Sequence, residues 1–201
     1  MPTQGLDQPS KPRVTVDDEL VERVLQGDSA AFDELVRRHG SAVYRAALAA
    51  LRSPPDAEDV MQETFVLAFQ KLRSFRHEST FKTWLLTIAW RRALRYRGSP
   101  VFRLQRLMAS DSAAAVSLSS YEPSAEQSLI AGELDRNVRR LVRTLPARLR
   151  DPLLLSASGR FSYEDLSDIL GIPTGTVKWR ISEARKFLRL KLGRLGYSEQ
   201  R

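Results

Sequence analysis

The chain has no cysteine, so it forms no disulfide, offers no thiolate to a metal and has no thiol with which to sense oxidants. His39 and His77 are its only histidines, too few to suggest a zinc site. Neither a metal nor a cofactor is expected. No apolar run approaches the ~18 residues that a membrane span requires, and the opening MPTQGLDQPSKPR has no apolar core for a signal peptide. The expectation is a cytoplasmic protein without membrane insertion.

Acids are scarce in two places. Residues 71–106 hold ten Lys or Arg against Glu78 alone, and residues 174–201 hold eight against Glu183 and Glu199. Residues 17–63 have the opposite balance, eleven acids to five Lys or Arg. The net charge of the 201 residues is +8. Two basic blocks far apart in sequence suggest two contacts with a polyanion. An anionic membrane is the rival partner, but neither block has an apolar face free of Arg.

The chain is organised around residues 56–97, DAEDVMQETFVLAFQKLRSFRHESTFKTWLLTIAWRRALRYR. The pattern predicts one helix from about Asp56, its cap, to Ser74, with Met61, Phe65, Ala68, Phe69 and Leu72 on an inward stripe. Asp59, Gln62 and Glu63 fall on another face. A second helix starts near Thr80 with Phe81, Trp84, Leu85 and Ile88 inward. Unpaired arginines cannot enter a core, so this helix is expected to leave the bundle near Ala89 and present Arg91, Arg92, Arg95 and Arg97 to an anion. On charge alone, solvated faces explain both clusters.

Upstream, helices are expected over 17–26 and from Ser29 toward Arg52, with Gly40 bending or interrupting the second. Residues 98–128 change character, with no basic residue from 107 to 135 and much Ala and Ser, which reads as a flexible linker. Beyond Pro123 come a helix ending at Leu145-Pro146, another over 146–157, a short one capped by Ser162, the turn Gly171-Ile172-Pro173, and a basic helix from Thr174 to about Leu192. Short helix, glycine turn and longer basic helix form a helix-turn-helix pattern.

Specific motifs sharpen this outline. Asp56-Ala57-Glu58-Asp59, Gln62-Glu63-Thr64-Phe65, Phe75-Arg76, Thr83-Trp84-Leu85 and Ile88-Ala89 resemble, in order and spacing, the second region of the extracytoplasmic-function (ECF) sigma factors, small bacterial initiation subunits of RNA polymerase. Gly27-Asp28, Ala31-Phe32 and Leu35-Val36-Arg37-Arg38 resemble that family's opening region. Leu145-Pro146, Ser162-Tyr163-Glu164, Gly171-Ile172-Pro173, Gly175-Thr176-Val177 and Ala184-Arg185 resemble its fourth region, which reads the promoter's −35 element.

The resemblance implies an all-α protein of two small helical domains, a four-helix N-terminal one and a C-terminal helix-turn-helix one, joined by a flexible linker. The expected layout is a disordered arm at 1–15, region 2 at 16–97, a linker at 98–122 and region 4 at 123–195. Implied partners are core RNA polymerase, promoter DNA and an anti-sigma factor. The chain itself would be no enzyme, because the polymerase performs the chemistry. Asp59, Gln62 and Glu63 would dock on the polymerase. Phe75, Arg76, His77, Trp90, Arg91, Arg92 and Arg95 would face the −10 element, with the loop 74–79 taking up an unpaired base. Trp90 has two readings, a base contact or a cover for the domain's edge. Thr176, Lys178, Trp179, Arg180, Ser182, Glu183, Arg185 and Lys186 would face the −35 element. Asp111, Glu122 and Glu126 of the linker would mimic RNA's charge inside the polymerase. The chain departs from the family at Arg91, where Asn is common, at Trp179, where a small residue is common, and at Glu183, where a basic one is common. These departures bear on promoter preference rather than on the fold. A free-standing helix-turn-helix regulator and a cytosolic adaptor are the alternative readings.

Overall fold

In a computed structural model of the chain, the described residues are 15–100, 102, 104, 125–159 and 161–197, with the side chains of 125–131 left aside. Most of the expected arm, most of the linker and the side chains of Asp111, Glu122 and Glu126 lie outside them. The described residues are helices, one 3-10 turn and loops, with no strand. The first four helices are α1 (Val16–Leu25), α2 (Ser29–Leu51), α3 (Pro54–Lys71) and α4 (Phe81–Gly98), with the 3-10 turn Leu72–Ser74 ahead of α4. Residues 100, 102 and 104 are helical too, and after them come α5 (Ala125–Thr144), α6 (Ala147–Ser158), α7 (Tyr163–Leu170) and α8 (Thr174–Arg194).

Local chemistry starts and stops these helices. Thr15 and Asp18 form a reciprocal capping box on α1, and Ser162 and Asp165 form another on α7. Asp28 caps α2 and Thr80 caps α4 through their side-chain oxygens. Gly171 ends α7 at φ +66°, a left-handed conformation that suits glycine. The expected cap of α3 is different. Its cap position is Ser53, without a side-chain bond, and Pro54 and Pro55 occupy the first turn. Proline at a helix start needs no N–H partner. Asp56 is thereby free to accept a 2.8 Å hydrogen bond from Tyr96 Oη on α4.

The packing departs from the sequence pattern at several places. Helix α2 runs unbroken through Gly40. Phe69 is 53% exposed rather than inward, resting against the Phe32 ring at 5.0 Å between centroids. Thr64 takes an inward place on α3, its hydroxyl donating to the Val60 carbonyl at 2.6 Å. Most important, α4 does not leave the bundle at Ala89: Trp90 and Ala93 are buried as well. Leu155 of α6, Leu166 and Ile169 of α7, and Val177 and Ile181 of α8 join the first domain's Leu35, Leu51, Phe81 and Leu85 in one continuous apolar cluster. Where two separate cores were expected, the two helical domains share one. Helix α4 therefore has a partner on a side the sequence pattern leaves empty.

Candidate polymerase and promoter interfaces

On α3, Asp59 and Gln62 are exposed. Glu63 is half-buried, because its carboxylate accepts from Arg92 Nε on α4 at 2.5 Å. That hydrogen bond holds the Glu63 carboxyl below its usual range, against the opposing effect of partial burial. Val66 and Phe69 continue the same helical face and are 57% and 53% exposed. Periodicity assigned Phe69 to the core and passed over Val66. An acidic patch thus runs into an apolar one along one helix, a surface suited to a protein partner.

The candidate −10 residues are dispersed among several environments. Phe75 is buried in a ring cluster with Phe81, Trp84 and His77, at 5.9, 5.2 and 4.4 Å between centroids. Arg76 beside it is exposed. His77 sits at φ +56°, uncommon for a side-chain-bearing residue, and its Nδ1 lies 2.9 Å from Asp18 Oδ1. The capping carboxylate of α1 therefore also holds the 74–79 loop. The other histidine, His39, lies 2.8 Å from Asp17, and burial lowers its basicity despite that carboxylate. Arg91 and Arg95 are exposed, Arg92 is paired with Glu63, and Trp90 is 2% exposed. In the closed arrangement the Trp90 ring is thus buried at the first domain's edge.

What covers that edge is the second domain. Arg97 of α4 donates to both carboxylate oxygens of Asp151 on α6, at 3.0 and 2.7 Å. Buried Thr83 donates to Asp165 Oδ1 at 2.8 Å, while Oδ2 of the same carboxylate completes the α7 capping box. Arg45 Nε donates to the Ser158 carbonyl at 3.0 Å, and Lys82 Nζ lies 5.3 Å from the Phe161 ring centre. Burial works against the Asp165 charge, but the hydrogen bonds from Thr83 and Ser162 outweigh it and lower its pKa. Asp168 moves the other way, raised by burial and then by the nearby Asp165 charge.

On α8, Val177, Ile181 and Ala184 face inward. Lys178, Trp179, Ser182, Arg185 and Lys186 are exposed, with Trp179 at 55%, and Thr176 and Glu183 are half-buried. Lys178 Nζ lies 5.4 Å from the Tyr163 ring centre, so α7 steadies one cation of this face. Arg180 is set apart: it lines a cleft against Trp90 and Arg91. Among the described residues no helix is long and apolar enough to span a membrane, and no group of His, Asp or Glu is placed to hold a metal.

In sequence and in fold the chain is similar to known proteins. Residues 35–99 match the family model Sigma-70 region 2, and residues 135–188 match Sigma-70, region 4. The ECF RNA polymerase sigma-E factor of Haemophilus influenzae is 34% identical over 186 residues, 88% of this chain and 95% of that protein. The Escherichia coli ECF RNA polymerase sigma-E factor is 36% identical over 85% of this chain and 91% of its own length. Among solved structures, CnrH in complex with the cytosolic domain of CnrY superposes with a TM-score of 0.62 at 26% identity, covering 88% of this chain and 97% of CnrH. The sigma factor RpoE from Bartonella quintana, in complex with the anti-sigma factor NepR, gives a TM-score of 0.57 at 27% identity, covering 81% of this chain and 96% of that one. With both regions in order and full-length relatives above 30% identity, the chain belongs to the ECF group of the sigma-70 family.

Proposed function

We propose that this protein is an alternative sigma factor that binds core RNA polymerase, directs promoter-specific initiation through −10 and −35 elements, and is held in check by an anti-sigma factor. The observation that carries this reading is the presence, in one chain, of both sigma regions, each with a cationic helix surface and the first also with an acidic-apolar one. Asp59, Gln62 and Glu63, extended by Val66 and Phe69, form the polymerase contact. Arg76, Arg91, Arg92 and Arg95 serve the −10 DNA, with Phe75 and His77 shaping the loop between α3 and α4. Lys178, Trp179, Ser182, Glu183, Arg185 and Lys186 enter the −35 major groove.

The chain supplies binding energy rather than catalytic groups; nucleotidyl transfer belongs to the polymerase, and the site of action is the cytoplasm. Arg97, Trp90 and Arg180 face the other domain in the closed arrangement, so contact with two promoter elements requires the domains to separate. An anti-sigma factor that grips both domains would keep them together, as suits a relative solved with NepR.

Transcription in vitro from a promoter library, with core polymerase and the purified chain, tests this. The expected result is initiation at a defined set of promoters carrying both elements. Sequence-specific binding without polymerase, as a dimer on paired half-sites, would instead identify a free-standing regulator.

A further inference from the structure

Between α4 of the first domain and α6, α7 and α8 of the second lies a cleft of about 200 Å³. Trp90, Arg91, Arg148, Asp151, Pro152 and Arg180 line it. Asp151 is the one carboxylate in that lining, and its oxygens already accept from Arg97 and, at 3.4 Å, from Arg150. Among the described residues no carboxylate pairs with Arg91, Arg148 or Arg180. Domain closure therefore places Arg91 of α4 in one cleft wall with Arg148 and Arg180 of the second domain, and the one acid of that wall is already paired. Like charges drawn together in a partly shielded cleft repel one another.

Two further features point the same way. Pro146 gives α6 no side-chain cap, so the positive end of that 12-residue helix opens at Ala147 and Arg148, both in the cleft wall. The Trp90 indole N–H is buried without an acceptor. Most such donors are satisfied in native proteins. The cleft wall is thus short of negative charge, and the indole N–H of one of its residues, itself out of solvent contact, lacks an acceptor.

We propose that this cleft binds a small phosphoryl anion of phosphate to pyrophosphate size, and that its occupancy holds the two domains closed. Guanidinium forks match phosphoryl oxygens geometrically, which favours this class over a monovalent halide. Arg91 cannot serve the cleft and −10 DNA at once, so the anion opposes promoter engagement. The site requires neither polymerase nor DNA, and it can fail while the sigma-factor reading stands.

The test is calorimetric titration of the full chain with inorganic pyrophosphate at constant ionic strength. Arg148→Ala and Arg180→Ala are compared with Arg194→Ala, which removes an exposed cation outside the cleft. Thermal melts confirm that each variant is folded. Saturable binding of one equivalent is expected, weakened about tenfold or more by either cleft variant and unchanged in Arg194→Ala. Pyrophosphate should also raise energy transfer between dyes placed one on each domain. A nucleoside diphosphate in a parallel titration distinguishes sources: tighter binding than pyrophosphate assigns the site to nucleotides, and equal binding to the phosphoryl groups alone. Absence of saturable binding, or the same loss in all three variants, overturns the proposal.

Discussion

Glu63 of the proposed polymerase contact on α3 and Arg92 of the proposed −10 contact on α4 are bonded to each other, Nε to Oε2 at 2.5 Å. The two surfaces are therefore not independent. Any partner that takes the Glu63 carboxylate releases the Arg92 guanidinium, and DNA that takes Arg92 frees Glu63.

The first prediction follows from that pair. Both side chains retain solvent access, 32% for Arg92 and 45% for Glu63, so the bond itself contributes only ~0.2–1 kcal/mol to stability. Glu63→Arg should weaken polymerase binding strongly and lower stability slightly, because two guanidiniums then meet. Arg92→Ala should spare polymerase binding but reduce opening of the −10 DNA. Polymerase affinity, thermal melts and permanganate footprints of a cognate promoter check all three. Equal loss of polymerase affinity in both variants would show that Arg92 acts by orienting Glu63.

A second prediction concerns the bond between the domains. Asp151 and Arg97 are mostly shielded, at 13% and 24% side-chain exposure. Asp151→Asn leaves Arg97 with a weaker acceptor and should cost about 1–3 kcal/mol of closed-state stability. Small-angle scattering should show a larger radius of gyration. If closure limits docking, association with core polymerase should quicken. An unchanged radius would assign closure to the shared apolar core alone.

The Thr83–Asp165 contact carries a pH dependence of known sign. The folded pKa of Asp165 lies below its ordinary value of 3.8. Its contribution is therefore complete above that value and is lost as the pH falls through the lower folded value. Asp168, raised in the folded protein, contributes with the opposite sign, since its strain is relieved on protonation. Comparison with Thr83→Val isolates the Asp165 contribution. The stability difference between the two proteins should be about 1 kcal/mol near neutrality and shrink in acid. Chemical denaturation at a series of pH values measures it. A difference constant with pH would mean that the hydroxyl acts by packing only.

On α8, Glu183 and Lys186 should behave differently if the helix enters the −35 major groove as proposed. A glutamate can accept from cytosine N4, whereas beside a phosphate it only repels. Glu183→Ala should relax preference at one −35 position by roughly 1–3 kcal/mol. Lys186→Ala should weaken binding to every sequence and flatten the salt dependence by about one unit of slope. Duplexes with each base varied in turn, at several salt concentrations, separate the two. Uniformly tighter binding by Glu183→Ala would make the glutamate a repulsive bystander.

Much of this molecule is local, and the local part is legible in the sequence. Ser162 caps α7, Gly171 turns the chain, and Val177, Ile181 and Ala184 mark the buried side of α8. Each depends on residues within a few positions, where hydrogen-bond geometry and helical period leave little freedom. The family motifs are local as well. The uneven charge balance is legible in the same way, and two basic blocks suggest a polyanion partner.

The tertiary structure decided what depends on which surfaces meet. Periodicity on α4 predicts an exit at Ala89, because it counts one inward face. Trp90 shares a cleft wall with Pro152, Ile169 and Leu170 of the second domain, which supplies another face, and Arg97 of the same helix bonds Asp151, 54 residues further on. Arg92 stays at the bundle surface because Glu63, 29 residues away, neutralises it. Phe69 lies outward against the Phe32 ring, and Thr64 takes an inward place with its hydroxyl on the Val60 carbonyl. A residue's spacing determines which side of its own helix it occupies. Whether that side meets water, a carboxylate or another domain is determined by elements that the spacing does not contain.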